Sequence, residues 1–416
     1  MSVYLLGTLD TKGHEAAFVR DALRDLGIDV RVVNTGCLGE PLVEAAVSAD
    51  DVFAAAGTSL ADLRKRNDRG EAVTCAARGA AELVRRAHAA GEVDGVLGLG
   101  GSAGTTIATA AMRALPLGVP KVMVSTMASG QVRHWVGDKD VFMLNAVVDI
   151  SGINRISRLV LGQAAAAMAG LVRYAEAASG AGPPGGASRD ERPLIAATMF
   201  GVTTQCVERA RRVLEDAGYE VLVFHATGNG GQAMESLIAD GLIAGVLDIT
   251  TTELADELVG GILSAGPDRL TAAGRRGVPQ VISVGATDMV NFGPPETVPE
   301  RFAGRRFYRH NPTVTLMRTT VEENRALGAE IGRKAAAAKG PTSILLPLRG
   351  VSAIDCGGKP FDDPAARAAL FDAVRAHHGG VELIELNRHI NDAEFAEAAA
   401  SRLLQLIAAC AQTPQR

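Results

Sequence analysis

Cysteine, aromatic residues and excess basic charge are all scarce in this sequence. The chain has 416 residues, of which 5 are cysteines, and aromatic residues make up 4%. The cysteines are widely separated and no two form a CxxC pair, which excludes a zinc ribbon and indicates a reducing compartment. A formal net charge of −5 gives no electrostatic reason to expect a nucleic acid or an anionic membrane surface as partner.

Long hydrophobic runs are also missing. The N-terminal stretch MSVYLLGTLDTKG has no basic region and only a short apolar run, so it does not resemble a signal peptide. No apolar stretch approaches the roughly 20 residues that span a bilayer. These absences predict a cytoplasmic protein that neither crosses a membrane nor binds nucleic acid. With so few aromatic residues, its core must consist of Ala, Val, Leu and Ile.

Short β-type runs alternate with longer helical patterns along most of the chain. The runs are SVYLLG, DVRVVN, GVLGLG and KVMVST in the first half, and LIAAT, EVLVFH, GVLDI and QVISVG in the second. Near-continuous apolar strands are typical of a parallel sheet that is covered by helices on both faces. The alternation therefore predicts an α/β fold of the doubly wound kind.

A segment rich in Gly, Pro and Ser, ASGAGPPGGASRDERP, interrupts this alternation at residues 178–193. Such a composition without periodicity indicates a linker. It predicts an N-terminal Rossmann-like subdomain over residues 1–177 and a C-terminal α/β subdomain over residues 194–416. The Ala-rich stretch from Ile156 to Ala175 is expected to form the last helix of the first subdomain.

Three segments recur in the same order in both halves. LRDLGIDVRVVNTG resembles LEDAGYEVLVFHATG, GVLGLGGSAGTT resembles GVLDITTTELAD, and GVPKVMVSTMASG resembles GVPQVISVGATDM. A tandem duplication predicts this order, although any two βαβ units share part of such a likeness. Because ligands bind at the carboxyl ends of parallel strands, two Rossmann-like subdomains with mostly parallel sheets would form a ligand cleft between them.

The segment GLGGSAGTT, residues 98–106, lies between a predicted strand and a predicted helix. Its glycines would let the backbone approach a phosphate, and the N–H groups at the helix N-terminus would meet the negative charge. The segment is neither a Walker A loop nor a complete GxGxxG motif, so a tight turn without a ligand is the alternative. The candidate cofactor-binding residues in it are Gly100, Gly101, Ser102, Gly104 and Thr105.

Two neighbouring loops add polar groups at the same predicted sheet edge. TLDTKGHE follows the first strand and offers Asp10 and Lys12, and STMASGQ follows the fourth and offers Ser125 and Ser129. Lys12 is expected to pair with a phosphate and Asp10 to hold Mg²⁺ through water. The alternative for Asp10 is a helix cap or a turn.

The loops of the second half carry histidines and acids. His225, His310 and His389, together with Asp248, Glu253, Asp288 or Asp355, are candidates for an acid/base or metal site. No HxH or HxxxH spacing occurs, so the metal remains unknown and histidines that only stabilise loops are the alternative. A site for a small anion or carboxylate that uses Arg318, His225, His310 and Asn311 is a further interpretation.

Eight motifs in order give the chain a family resemblance. They are GTLDTKG, GGSAGT, FHATGNGGQAME, DITTTELADEL, GATDMVNFG, FYRHNPTVTLMRTT, LPLRGVSAID and NRHIND. They resemble the family formed by the ATP-binding domain of the tomato mosaic virus resistance protein, an inhibitor of viral RNA replication, and its bacterial homologues. The resemblance implies two α/β subdomains, binding of ATP and Mg²⁺, and a homodimer. It also implies a partner resembling a phosphoenolpyruvate-hydrolase-like TIM barrel, which the plant protein carries as a second domain.

Three functions follow from these observations. The first is a Mg-ATP-binding protein, extended to an ATP-dependent enzyme that acts on a small carboxylate or sugar acid. Its catalytic candidates are Asp288, Asp248, His225 and His310, and its substrate-binding candidates are Asn311, Arg318, Glu253 and His389. The second is a lyase or hydrolase with a metal or acid/base centre in the C-terminal subdomain. The third is a non-catalytic, nucleotide-gated module that regulates the barrel partner.

Overall fold

Each half of the chain contains one parallel β-sheet with helices packed on both of its faces. The structure is a computed structural model that describes residues 2–66, 68–181 and 192–411. The chain divides into two units, residues 1–190 and 191–416. The predicted α/β fold with two Rossmann-like parallel sheets is confirmed. Within the described ranges, no helix has both the length and the apolar character needed to cross a bilayer.

The first unit contains a five-stranded sheet in the order β2-β1-β3-β4-β5, in which all neighbours are parallel. Its strands are β1 (Ser2–Gly7), β2 (Asp29–Asn34), β3 (Gly95–Gly100), β4 (Lys121–Ser125) and β5 (Phe142–Asn145). Its helices are α1 (Leu9–Asp25), α2 (Ala49–Ala55), α3 (Leu60–Arg66), α4 (Arg69–Ala89), α5 (Ser102–Arg113), α6 (Arg133–Val136) and α7 (Arg155–Ala181). The strand order reverses between β1 and β3, and ligands of open α/β sheets bind at such a switch point.

Strand β1 explains why this sheet needs helices on both faces. Successive side chains of a strand point to opposite faces, and nearly all of β1 is apolar. Leu5 packs into a core cluster with Leu23 of α1 and Met168 of α7. Leu6 packs into a second cluster with Met112 of α5 and residues of α4. Each buried leucine contributes about 1.5–3 kcal/mol, so the alternation fixes the strand between two helix layers.

The second unit contains a six-stranded parallel sheet in the order β14-β13-β9-β8-β6-β7. Its strands are β6 (Leu194–Met199), β7 (Glu220–His225), β8 (Gly245–Thr250), β9 (Gln280–Gly285), β13 (Thr342–Pro347) and β14 (Glu382–Leu386). Its helices are α8 (Thr204–Asp216), α9 (Asn229–Ala239), α10 (Thr252–Val259), α11 (Ala272–Arg276), α12 (Val321–Ala336), α13 (Pro364–His377) and α14 (Ala393–Ala411). Read from β7, the order matches that of the first unit with one further strand, as a tandem duplication requires.

An antiparallel insertion distinguishes the second unit from the first. Between β9 and β13 the chain forms a three-stranded sheet in the order β10-β12-β11. Its strands are β10 (Met289–Phe292), β11 (Phe307–Asn311) and β12 (Val314–Arg318). The sequence pattern did not predict this sheet, because β11 is largely exposed and lacks a regular alternation of apolar and polar residues.

The last helix of the first unit is longer than expected. Helix α7 continues to Ala181, so residues 178–181 of the predicted linker are helical rather than extended. The first proline of the segment, which would end a helix, occurs only at Pro183. Residues 182–191 of the predicted linker lie outside the described residues.

Candidate functional site

A cavity of about 210 Å³ lies at the carboxyl edge of the first sheet, at its switch point. Its lining residues come from the loops that follow β1, β2 and β3 and from the start of α4. The lining includes Thr8, Asp10, Lys12, Thr35, Arg69, Gly101, Ser102 and Gly104. A second cavity of about 240 Å³ shares Cys37, Leu38, Arg69 and Ala72 with the first, so the two are adjoining parts of one groove.

The N-terminus of α5 opens into the first cavity. Gly101 is the N-cap residue and provides no side-chain cap. Within the described part of the chain, the backbone N–H groups of Ser102, Ala103 and Gly104 donate to no other group. Free N–H groups and the positive end of the helix dipole make this position suited to an anion.

The glycines before α5 have different roles. A Cβ atom at Gly98 would lie 2.4 Å from the Cβ of Ala108, and one at Gly100 would lie 2.8 Å from the Cα of Gly104. These glycines therefore let α5 pack directly on β3. At Gly101 the nearest atom to an added Cβ is the Thr126 hydroxyl at 3.5 Å. Gly101 is thus the glycine of this set that faces open space.

The hydroxyl residues predicted for this site mostly lie elsewhere. Thr105 and Ser125 are fully buried, and their hydroxyl oxygens are 2.6 Å apart. The Thr105 hydroxyl also donates to the carbonyl of Gly101 at 2.8 Å, so this pair ties the loop after β3 to the end of β4. Ser129 is exposed and does not line the cavity. Of the predicted set, the structure brings together Asp10, Lys12, Gly101, Ser102 and Gly104.

Asp10 stabilises the loop after β2, which lines the cavity, and one of its carboxylate oxygens has no described partner. Its Oδ2 accepts from the N–H groups of Leu38 at 2.9 Å and Gly39 at 3.2 Å. Its Oδ1 is buried and has no hydrogen-bond partner among the residues that the structure describes. A Cβ at Gly36 would lie 2.6 Å from that oxygen, so the glycine makes room for it. The nearby Lys12 ammonium donates to the carbonyl of Ile150.

Arg69 is a lining residue that the sequence motifs did not identify. It is the first residue of α4, directly after the N-cap Asp68, and its side chain is exposed. It lines both cavities, and none of the described acidic residues forms an ion pair with it. No local pattern marks it, because it lies far from both glycine-containing loops in the sequence.

In the second unit, the predicted residues Asp248 and Glu253 belong to a buried ionic network. Arg269 is fully buried and donates to both Asp248 oxygens, at 2.5 and 2.7 Å, and to Glu253 at 2.6 Å. It also approaches Glu235 at 3.3 Å. Thr198 donates to Asp248 at 2.7 Å. Asp248 and Glu253 are therefore held by structural contacts, with 1% and 0% of their surface exposed.

These carboxylates also lie at helix N-termini. Glu253 accepts from the N–H groups of Gly228 at 2.7 Å and Gly231 at 3.1 Å, at the start of α9. Glu235 accepts from three consecutive N–H groups before and at the start of α11, those of Leu270, Thr271 and Ala272. The starts of α9 and α11 are thus occupied by carboxylates of the same unit.

Asp288 lies in a second buried cluster, after β9. Its Oδ2 accepts from the Ser352 hydroxyl at 2.8 Å, while its Oδ1 is buried and without a described partner. Burial, together with the neighbouring Asp355 carboxylate, raises the pKa of Asp288 to about 7. Asp355 is held by Arg318 at 3.2 Å and by Arg367 at 2.9 Å. Burial raises the pKa of Asp355 as well.

The predicted anion site of Arg318, His310 and Asn311 is not assembled. Arg318 is buried at the end of β12, where its guanidinium bonds to the carbonyl of Phe361 at 2.9 Å. His310 and Asn311 lie near the other end of the hairpin, where Asn311 accepts from the N–H of Thr313 at 2.8 Å. Four strand residues separate the two ends, roughly 13 Å. The hairpin geometry therefore keeps them apart.

The remaining two histidines are not brought into a common site with His310. His225 ends β7 and is exposed, on an edge strand of the parallel sheet. His389 bonds through Nε2 to the carbonyl of Ser352 at 2.8 Å and accepts the N–H of Asn391 at 3.1 Å, which fits a histidine that stabilises loops. In the ranges that the structure describes, no group of three or more His, Cys, Asp or Glu residues is arranged to hold a metal ion.

Comparison with protein-family models identifies the family of this chain. The N-terminal domain model of the Uncharacterised protein family (UPF0261) matches residues 1–177, and its C-terminal domain model matches residues 192–407. The chain belongs to the UPF0261 family. A UPF0261 protein of Clostridium tetani is 49% identical over 407 residues, which cover 97% of this chain and 98% of that protein.

The predicted family resemblance is confirmed by a plant relative of this UPF0261 chain. The ToMV resistance protein Tm-1(GCR237) of Solanum lycopersicum is 39% identical over 422 residues, which cover 97% of this chain and 55% of the tomato protein. Among solved structures, a UDP-GlcNAc 2-epimerase from Neisseria meningitidis aligns over 98% of this chain at 9% identity and a TM-score of 0.22. That likeness is too low to bear on function.

Proposed function

We propose that the first unit binds the phosphates of a nucleotide, ATP with Mg²⁺, at the N-terminus of α5. The observation that carries this proposal is the first turn of α5, where three N–H groups with no partner among the described residues open into the cavity that Gly101 leaves unobstructed. An anion in a partly buried position at a helix N-terminus is stabilised by up to about 2 kcal/mol.

Two basic side chains support the same assignment. Lys12 and Arg69 line the cavity. Lysine acts as a point charge toward phosphate, whereas the arginine fork donates two hydrogen bonds to it. Together with the N–H groups of α5, they would neutralise much of the charge of a di- or triphosphate.

The adjoining cavity suits the nucleoside. A volume of about 210 Å³ is small for a whole nucleotide, whereas the neighbouring cavity of about 240 Å³ offers apolar surface from Leu38, Leu63 and Ala72. Leu38 is 69% exposed, and a purine base would cover it. The phosphates would then lie at α5 and the base against the loop after β2.

Magnesium fits the free oxygen of Asp10. Mg²⁺ is usually held by one or two carboxylates together with substrate phosphates and water. Asp10 and Asp149 are the carboxylates that line the cavity, and the buried Oδ1 of Asp10 has no described partner. When bound, Mg²⁺ would neutralise charge on the phosphate oxygens. Asp10 would orient the ion, and Lys12 would hold the neighbouring phosphate.

Calorimetric titration of ATP, with and without Mg²⁺, tests the proposal. Gly101→Glu would place a carboxylate over the free N–H groups, so we expect the affinity to fall about 30-fold or more, equivalent to about 2 kcal/mol. Asp10→Asn should reduce mainly the Mg²⁺-dependent part of the affinity. Equal binding of Mg-ATP by wild type and Gly101→Glu would refute the site.

A second candidate function, acid/base catalysis, rests on Asp288. A carboxyl group with a pKa of about 7 and one free oxygen has the properties of a general base at neutral pH. Asp288 is fully buried, so a substrate would reach it only after the loops over it move. In this extension the protein is an ATP-dependent enzyme for a small carboxylate or sugar acid.

A screen of such acids for ATP-dependent phosphate release tests this extension. Release by wild type that falls about 100-fold or more in Asp288→Asn would support a catalytic base, since proton transfer contributes on this scale. Equal release by both proteins would exclude Asp288 from that role.

A further inference from the structure

An apolar groove of about 460 Å³ lies in the second unit, against the antiparallel sheet. One wall is the segment from Pro295 to Ala303, and the other is formed by strands β11 and β12. Its lining includes Pro295, Pro299, Phe302, Phe307, Arg309 and Thr315. None of these residues belongs to the phosphate cavity or to the buried acidic clusters.

The strand register shows that this wall is one face of the sheet. In the β11–β12 pair, Phe307 is opposite Met317 and Arg309 is opposite Thr315. Side chains that oppose each other directly lie on the same face, and alternate pairs share it. Tyr308 and Leu316, between them, point to the other face and pack near Phe361. An aromatic ring, a guanidinium and a hydroxyl group therefore lie side by side along the groove.

Thr315 has a hydroxyl group without a partner. The residue is 4% exposed, and its Oγ1 is buried with no hydrogen-bond partner in the described ranges. A buried hydroxyl without a partner is costly. Rotation about χ1 to another staggered position exchanges its hydroxyl and methyl groups. Since Thr315 lines the groove, that rotation would bring the hydroxyl to a ligand.

Arg309 gives the groove a cationic end beside this hydroxyl. Its side chain is exposed, and it forms no ion pair with any acid that the structure describes. Glu300 also lines the groove, which disfavours a phosphate or another multiply charged anion. Arg301 and Arg305 lie over the Phe302 ring at 4.7 and 5.9 Å, and Arg305 is paired with Glu323. Arg309 and Arg301 against Glu300 leave one net positive charge, which matches a ligand with a single negative charge, and the proline and phenylalanine surfaces match a flat apolar body.

We propose that this groove binds a small aromatic monocarboxylate. The ring would lie against Phe307, which is 40% exposed, and the neighbouring prolines, and the carboxylate would accept from Arg309 and from the rotated Thr315 hydroxyl. A volume of about 460 Å³ is within the range of small-molecule sites. This site is independent of the nucleotide site proposed above.

Calorimetric titration with 2-naphthoate tests the proposal, with 2-naphthamide as its uncharged counterpart. For a ligand of this size we expect saturable binding with a Kd of about 1 mM or tighter. Arg309→Gln should weaken naphthoate binding about 10-fold, because a charged hydrogen bond is lost, and leave naphthamide binding nearly unchanged. Thr315→Val keeps the shape and should weaken naphthoate binding about 5-fold.

Two controls make the test decisive. Arg325→Gln removes another exposed arginine, on α12, and should bind naphthoate like wild type. Gly101→Glu should also bind it like wild type, because Gly101 belongs to the first unit and the groove is lined by residues of the second. Absence of saturable naphthoate binding, equal affinity for the amide, or equal losses in Arg309→Gln and Arg325→Gln would each overturn the proposal.

Discussion

The two units share a strand order but differ at the points where their helices begin. In the first unit, α5 begins at an open cavity and its first N–H groups have no described partner. In the second unit, carboxylates of Glu253 and Glu235 accept the N–H groups at the starts of α9 and α11. The contrast holds for these three helix starts: α4 of the first unit is capped by its own Asp68, and among the described residues α8 and α10 of the second unit begin without a side-chain cap. Of the starts of α5, α9 and α11, that of α5 is therefore the one suited to an anion from solution.

The second unit also compensates for the charge that it buries. Arg269 neutralises Asp248 and Glu253 in a position with almost no solvent exposure. Such networks cost desolvation energy, so they add little net stability over apolar packing, but breaking one partner is expensive. Their effect here is to fix the loops after β7 and β8, which in the first unit remain available to line a cavity.

The largest expected effect is the loss of Arg269. Arg269→Met would leave two buried carboxylates uncompensated, so we expect the free energy of unfolding of the second unit to fall by about 3–5 kcal/mol. Urea unfolding measures this change in the free energy of unfolding. The matched control is Arg275→Met, which removes an exposed pair with Asp268 and should cost less than about 1 kcal/mol. Similar values for the two variants would contradict the structural role of the network.

Next in size is the contrast between two glycines of the same segment. Gly98→Ala places a Cβ at 2.4 Å from the Ala108 Cβ and should destabilise the first unit by about 1–3 kcal/mol through overpacking. Gly101→Ala should cost less than about 0.5 kcal/mol, because its Cβ would make only an ordinary contact, with the Thr126 hydroxyl at 3.5 Å. Thermal unfolding distinguishes them. A larger loss of stability in Gly101→Ala than in Gly98→Ala would show that Gly101 is needed for packing rather than to keep the cavity open.

A pH-dependent effect is expected at Asp288. Its pKa rises from 3.8 to about 7 on folding, so the folded state retains a proton that the unfolded state has lost between these values. The contribution of this proton to the free energy of unfolding is complete below pH 3.8. It decreases as the pH rises to about 7, by up to about 1.4 kcal/mol per pH unit.

Asp288→Asn removes the titrating group and with it the charge that Asp355 faces in the same cluster, so the variant reports the pH dependence of this pair of carboxyl groups. Asp256, whose pKa burial also raises to about 7, titrates in both proteins and cancels. We expect the stability of the variant relative to wild type to increase from about pH 4 to pH 7, measured by urea unfolding. A difference that does not change with pH would show that Asp288 is ionised in the folded protein throughout.

The smallest expected effect concerns Arg69. Arg69→Gln removes one partly solvated cation from the proposed phosphate site, so we expect Mg-ATP affinity to fall about 5-fold, or about 1 kcal/mol. Stability should not change measurably, because the side chain is exposed. Arg66→Gln, in the same surface region, is the control. A larger loss of Mg-ATP affinity in Arg66→Gln than in Arg69→Gln would contradict a contact between Arg69 and the phosphates.

The sequence runs named above correspond to eight of the eleven described parallel strands, β1 to β4 and β6 to β9, because their apolar runs are nearly continuous and their ends carry glycines or hydroxyl residues. They do not include β5, β13 or β14. The sequence did not predict β10 to β12, since the edge strand FYRHN has no regular pattern. The sequence also could not show whether Asp248 and Glu253 are catalytic acids or members of a buried ionic network. Their partner Arg269 lies 21 residues beyond Asp248, in a loop with no local signal, and only the fold brings them together.

The residues of the candidate phosphate site could also be predicted only in part. Asp10, Lys12 and Gly101 were predicted because each follows a strand of one sheet, and parallel strands end at one edge. Arg69 was missed because it enters from a helix start. Thr105 and Ser125 were predicted as ligand-binding residues, but a hydroxyl next to a glycine loop serves packing as readily as ligand binding, and the structure places their hydroxyls in a buried contact with each other.

Amide hydrogen exchange, with and without Mg-ATP, tests the contrast between the units most directly. The account predicts that the amides of Ser102, Ala103 and Gly104 exchange rapidly in the free protein and become protected by Mg-ATP. The amides of Gly228 and Gly231, which donate to Glu253, should be protected already and should not respond. Protected amides at 102–104 in the free protein, or protection by Mg-ATP at 228–231 instead, would contradict it.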